Sequence, residues 1–230
     1  MAGDEAAELQ SLTSFSAEVT LSSERTTLDI RTADGSPPVA RMTKAGALRQ
    51  RAAYELFTGP DLKTAAGTLS ASGALDAGGA PVGIVNLSGG RKADSEIHPL
   101  SGGLTTYASD NPTKWRVVQP GLPPLVAEGT DPGARLSYNK VTDAMDRLGF
   151  GVKVPDYLAP MTFRFSAAGC AGFTVTLTSR KSRLDVTVHD PRVDRRLILS
   201  CLAALALKVM ETPRREATEA GSLFRRLRKA

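Results

Sequence analysis

Apolar and polar residues alternate along much of the chain. Phe15, Ala17, Val19 and Leu21 are interleaved with Ser16, Glu18 and Thr20, and Leu28 and Ile30 with Asp29 and Arg31, ahead of the turn-forming run Ala33-Asp34-Gly35-Ser36. Successive side chains of a strand point to opposite faces, so this spacing predicts a hairpin with one apolar and one polar face. The same period returns later in Phe163 and Phe165, in Phe173, Val175 and Leu177, and in Leu184, Val186 and Val188. Antiparallel strands packed on one side only require that pattern. Between these regions the stretch 87–113 carries Gly89-Gly90, Gly102-Gly103 and Asn111-Pro112 and reads as a long connection with one short strand near Ile97. A brief helix is predicted from Thr142 to Leu148, capped by Thr142 and stopped by Gly149.

A second regularity lies in the turns. Gly35-Ser-Pro-Pro38-Val39, Gly79-Ala-Pro81-Val82 and Gly121-Leu-Pro-Pro124-Leu125 each place Gly and Pro ahead of a short apolar run, and Pro38, Pro81 and Pro124 are 43 positions apart both times. Gly supplies positive φ, and Pro fixes φ at the start of a strand where its missing N–H does no harm. The interval matches a propeller blade, but the pattern fails at Ala167, where a fourth copy belongs. Either a repeated unit or recurrent turn chemistry accounts for it.

The period changes after Val188-His189-Asp190. Twelve of the fourteen residues from Leu197 to Met210 are apolar and cover every face, which predicts a helix at about 191–211 buried on all sides. Asp194 complements its positive end, and Pro213 limits its continuation. The apolar run is about 21 Å long at the helical rise, short of the roughly 30 Å hydrocarbon core of a bilayer. Arg195-Arg196 and Arg214-Arg215 flank it as basic residues flank membrane segments, so a membrane-tail anchor is the competing reading. Many short strands followed by such a helix fit a barrel too wide to fill itself with strand side chains, with the helix as its filling.

Charge changes the picture only when it is divided. The 230 residues carry a formal net charge of +5, with 29 basic and 24 acidic side chains. From Met1 to Pro191 there are 19 basic and 20 acidic residues, and from Arg192 to Ala230 there are 10 and 4, so the surplus is C-terminal. Apolar residues at 41% and charged residues at 23% describe a globular chain that can fill a core. The acidic start, Met1 to Glu8, lacks the basic and apolar regions of a secretory signal, and a cytoplasmic chain is expected.

Candidate chemistry is sparse. The two cysteines, Cys170 and Cys201, have no metal-type spacing and are expected to be reduced structural thiols. Of the two histidines, His98 precedes Pro99 and His189 ends a strand; no Gly-x-Ser-x-Gly occurs, and no catalytic residue, metal ligand or cofactor site is singled out. Asn86 to Lys92 is Gly-rich but lacks the Gly-Lys-Ser/Thr ending of a phosphate loop. Asp185, Asp190 and Asp194 read as turn and helix-cap residues, without the loop of a calcium site. The sharpest candidate is the tail. On a helical wheel Leu223, Leu227 and Phe224 fall at about 0, 40 and 100 degrees, while Arg228, Arg225, Lys229 and Arg226 fall between about 140 and 300 degrees. A basic amphipathic segment of this kind suits an anionic lipid surface, and its charge also suits nucleic acid or an acidic protein.

The run from Arg183 to Leu207, Arg-Leu-Asp-Val-Thr-Val-His-Asp-Pro-Arg-Val-Asp-Arg-Arg followed by the apolar stretch, resembles the last strand, acidic turn and hydrophobic helix of the Tubby C-terminal-like superfamily. The phospholipid scramblase and LURP-one-related branches are the nearest in pattern, and the recurrent Gly-x-Pro-Val strand starts are similar as well. The resemblance implies a mainly β fold, a closed or nearly closed antiparallel barrel of about twelve strands around a hydrophobic C-terminal helix. On that reading 1–212 form the barrel and its helix, and 213–230 a basic tail. The palmitoylated Cys cluster of scramblases is absent, and no basic pair aligns with the phosphoinositide site of Tubby proteins. The expected function is a non-enzymatic binding module, peripheral at the inner membrane surface through an anionic or phosphoinositide-bearing bilayer, or bound to a protein partner. An enzyme without a recognisable motif, and nucleic-acid contact through the tail, are the alternatives.

Overall fold

The computed structural model describes residues 8–48, 52–87, 115–131, 161–178 and 183–209. The expected strand near Ile97, the helix from Thr142 to Leu148 and the tail lie outside them. Residues 8–11 form one helical turn. Twelve strands follow: β1 (Ser14–Leu21), β2 (Arg25–Arg31), β3 (Ala40–Ala45), β4 (Tyr54–Thr58), β5 (Thr64–Ser70) and β6 (Gly73–Asp76). The second half comprises β7 (Pro81–Asn86), β8 (Arg116–Val118), β9 (Leu125–Gly129), β10 (Met161–Ala167), β11 (Cys170–Leu177) and β12 (Arg183–Val188). One helix, α1 (Arg195–Val209), completes the chain described.

Every strand pairs antiparallel with its neighbours in sequence, and β1 closes the ring on β12 with Phe15 opposite Val186 and Ala17 opposite Leu184. The expected hairpin is present, with Val19 opposite Leu28 and Ala17 opposite Ile30. The apolar positions of the two-residue period turn inward: Phe163, Phe165, Phe173, Val175 and Leu184 are wholly buried. Phe165 and Phe173 stack with ring centroids 4.8 Å apart, and Trp115, just ahead of β8, lies 5.0 Å from Phe163. Outside, charges pair with their opposites, across strands or along one strand. Arg41 meets Asp29 at 2.6 Å, Arg31 meets Glu18 at 3.0 Å, and Arg183 meets Asp185 at 2.7 Å and also pairs with Asp34.

Up-and-down topology gives the barrel two distinct ends. The β2–β3, β4–β5, β6–β7, β8–β9 and β10–β11 connections share one end with the β12–α1 turn, here the cap end. From there α1 runs down the interior toward the opposite, exit end. Leu197, Ile198, Leu199, Leu202 and Leu205 are all fully buried, and α1 packs most closely on β5, β6 and β7. Gly83 makes this approach feasible: a Cβ there would lie 2.8 Å from Leu197 Cδ1 and 2.3 Å from the Val118 carbonyl. Inside, the Ser200 hydroxyl donates to the Gly73 carbonyl at 2.9 Å, so the one polar side chain in the middle of the run is satisfied.

Three expectations are refined. The helix begins at Arg195 rather than 191, because residues 191–194 are held in a turn by their own side chains. As the filling of the barrel, α1 is core and not a membrane tail; no helix among the described residues is long and apolar enough to cross a membrane. The 43-residue interval is turn chemistry and not a structural unit. Pro81 starts β7, and Pro38 and Pro124 lie just ahead of β3 and β9, all at the cap end, while Gly35, Gly79 and Gly121 have φ of 74°, 83° and 81° as expected. Yet three strands lie between β3 and β7 and only one between β7 and β9.

Candidate functional site

Polar chemistry collects at the cap end, where the β12–α1 turn is built from two similar Asp-x-Arg staples. In Asp190-Pro-Arg192, the Arg192 amide and Nε donate to Asp190 Oδ1, each at 3.0 Å, and Nη2 to Oδ2 at 2.7 Å. In Asp194-Arg-Arg196, the Arg196 amide and Nε donate to Asp194 Oδ1 at 2.9 and 3.0 Å, and Nη2 to Oδ2 at 2.6 Å. The second staple is also the helix cap, since the Asp194 carboxylate takes a first-turn amide that has no partner within α1. Asp190 and Asp194 are turn and cap residues, as the sequence reading has them; Asp185 instead lies within β12, where it accepts from Arg183 and Thr178.

Two glutamines from distant parts of the chain, Gln10 in the helical turn ahead of β1 and Gln119 just after β8, complete the cap. Gln10 donates to Asp194 Oδ1 at 3.0 Å and accepts the Arg195 amide at 3.1 Å. Gln119 accepts the Asp194 amide at 2.8 Å and donates to the Arg192 carbonyl at 2.9 Å. Arg195 sits beneath them, 1% exposed. Its guanidinium donates to the carbonyls of Leu12 at 2.8 Å, Pro191 at 3.0 Å and Val193 at 2.5 Å, tying the start of the barrel to the turn that ends it.

The electrostatics follow from these contacts. Hydrogen bonds from Arg192 hold the Asp190 carboxyl well below the ordinary carboxylate range. Burial alone pushes Asp194 up, but the Arg196 side chain and amide together with Gln10 more than offset it, and its pKa is lowered. Burial draws the Arg195 guanidinium down against the attraction of Asp194 and Asp190. Near the same turn, burial and a hydrogen bond to Asp190 raise the Cys170 thiol. Cys201, inside the barrel, is raised strongly by burial alone. Both are free and buried, poor nucleophiles, in keeping with structural thiols.

A second group of buried polar residues lies at the exit end. The Lys44 ammonium donates to the Ala47 and Leu48 carbonyls at 3.1 and 2.8 Å and stands 5.3 Å from the centre of the Tyr54 ring. Burial pushes the Tyr54 phenol up to about 12.

Of the residues singled out in the sequence, His189 is exposed, with its Nε2 2.8 Å from Thr174 Oγ1, and has no acid on its other nitrogen among the described residues. No group of three or more His, Cys, Asp or Glu suited to a metal occurs among the described residues. His98, Arg91, Lys92 and the tail residues Leu223, Phe224, Arg225, Arg226, Leu227, Arg228 and Lys229 lie outside them. The buried Arg195 and the two glutamine caps were not anticipated. The repeated Asp-x-Arg spacing could have disclosed the staples, whereas Gln10 and Gln119 reach the turn across 184 and 75 positions and leave no local signal. Comparisons with protein-family models, with curated proteins and with solved structures find no match to this chain.

Proposed function

We propose that the chain is a non-enzymatic binding module of the Tubby-like kind whose basic C-terminal segment attaches it to anionic membrane surfaces, as a peripheral protein of the cytoplasmic face. The observation that carries this reading is the occupant of the barrel. With α1 buried from Leu197 to Ala206, the interior is spent on the protein's own core, and recognition falls to the outer surface and to the segment that follows the helix. Because α1 enters at the cap end, it runs toward the exit end as far as Val209, its last described residue.

Charge supports the same assignment. On the described barrel several surface arginines face a carboxylate, while 213–230 hold six basic and two acidic residues. Each basic residue near an anionic bilayer contributes about 1 kcal/mol, and Leu223, Phe224 and Leu227 add an insertion term offset by ordering the segment. Binding of this type is weak, reversible and weakened by salt.

The test is vesicle co-sedimentation across lipid charge and salt, comparing the whole chain with one ending at Pro213. The expected outcome is salt-sensitive binding to phosphatidylserine or phosphoinositide vesicles by the whole chain only. Equal binding by both chains, or tighter binding to DNA than to vesicles, would overturn the membrane assignment.

A further inference from the structure

Among the described strands β8 is the shortest, three residues where β1 and β11 have eight. Its register with β7 runs from Ile84 opposite Val118 to Asn86 opposite Arg116, and with β9 it is confined to Arg116 opposite Val126 and Val117 opposite Leu125. The β1–β2 ladder, by comparison, runs from Ser16 opposite Arg31 to Leu21 opposite Thr26. The sequence keeps β8 short at the cap end. Pro120, Pro123 and Pro124 lie in its connection to β9, and a proline has no N–H with which to extend a ladder.

The two ends of this strand are tied to different parts of the molecule. On the exit-end side the Trp115 carbonyl accepts the Ala127 amide of β9 at 3.0 Å, and the Trp115 ring lies 5.0 Å from Phe163 of β10. On the cap-end side Gln119 accepts the Asp194 amide at 2.8 Å and donates to the Arg192 carbonyl at 2.9 Å. Between them Val117 is 1% exposed. Residues 115–119 therefore hold β9 at one end and the turn that starts α1 at the other.

Local opening of a native protein begins where few backbone bonds must break, and residues of one element open together. Around this ring β8 is that place. Gln119 follows Val118 directly, so loss of the ladder also draws Gln119 off the turn and leaves the Asp194 amide without its acceptor. We propose that β8 is a two-ended latch, which leaves the ring as one unit and frees the α1 cap and the β7–β9 seam together. The coupling is reciprocal: stripping Gln119 of its partners at the turn loosens the strand, and loosening the strand releases the turn. The membrane assignment is independent of it, since none of these bonds involves the tail.

The test is native-state amide hydrogen exchange of the full chain, read by NMR where closing outruns exchange. The Ala127 and Asp194 amides report the two ends of the latch, and the amide of Val175, paired on both sides in the middle of β11, reports the rest of the ring. Ala127 and Asp194 are expected to share one opening equilibrium, about a hundredfold more frequent than that of Val175. Gln119→Ala should raise exchange at Ala127 about tenfold and leave Val175 unchanged, although Ala127 makes no bond to Gln119. Gln10→Ala removes two bonds from the same cap without touching β8, and should leave Ala127 as it is. Exchange at Ala127 no faster than at Val175, a separate and more frequent opening at Asp194, or equal effects of the two variants on Ala127 would overturn the latch. The unaltered chain decides the first two outcomes without either variant.

Discussion

Asp194 does two jobs at one atom, since Oδ1 both caps the first turn of α1 and anchors Arg196 and Gln10. Asp190 repeats half of that arrangement four positions earlier. Both carboxyls have lowered pKa values when folded. A depressed folded-state pKa means that the unfolded chain binds more protons, so the stability these groups add is present above the unfolded carboxyl pKa of about 3.9 and is lost as pH falls through the folded-state values. Thermal melts are therefore expected to be level near neutral pH and to fall below about pH 4. Asp194→Asn keeps an acceptor oxygen but removes the charge, and should cost about 1–2 kcal/mol near neutral pH while flattening part of the acid decline. A variant whose melting temperature tracked the unaltered protein throughout would show that the staple does not stabilise the turn. Arg195 is the less forgiving neighbour: three main-chain carbonyls converge on one buried cation, and lysine cannot reproduce its planar fork.

At the scale of elements, α1 was the most legible feature of the sequence, because fourteen residues with apolar side chains on every face admit few homes. The inward positions of β1, β2, β10, β11 and β12 were legible for the same reason, since strict alternation assigns each residue to a face. What was hidden is physical in origin. The β4–β5 and β6–β7 pairings each skip a residue, which breaks the two-residue period just where a depression beside Arg196 forms. The grouping of Thr58, Asp76 and Arg196 around that depression draws on separate elements and leaves no local signal. The helix also carries the sharpest element-level prediction. Ala204 is 6% exposed and lies within a helix packed against strands, so Ala204→Glu would bury an unpaired carboxylate at a cost of several kcal/mol. The variant is expected in the insoluble fraction or without a cooperative transition; recovery as a soluble monomer with unchanged unfolding would contradict the central placement of α1.

For the whole molecule, the helix and the ring are each incomplete without the other. Pairing of β1 with β12 joins residues 14–18 to 183–187, so closure waits for nearly the whole length between them and gives the fold a large share of long-range contacts. A closed ring of twelve strands still encloses a space that its own inward side chains share with α1. Leu197, Ile198, Leu199, Leu202 and Leu205 are fully buried there, and at roughly 1.5–3 kcal/mol each they contribute about 8–15 kcal/mol before entropy. That is as large as the net stability of an ordinary domain, about 5–15 kcal/mol, so the barrel has no margin to survive their loss. A chain ending at Asp190 is expected to bind a hydrophobic dye and melt without cooperativity. One ending at Pro213 retains α1 and should melt within a few degrees of the full chain, as only the segment beyond the helix is gone. A sharp transition in the Asp190-terminated chain near that of the full protein would mean that the strands fold without their filling, and that α1 occupies the barrel without supporting it.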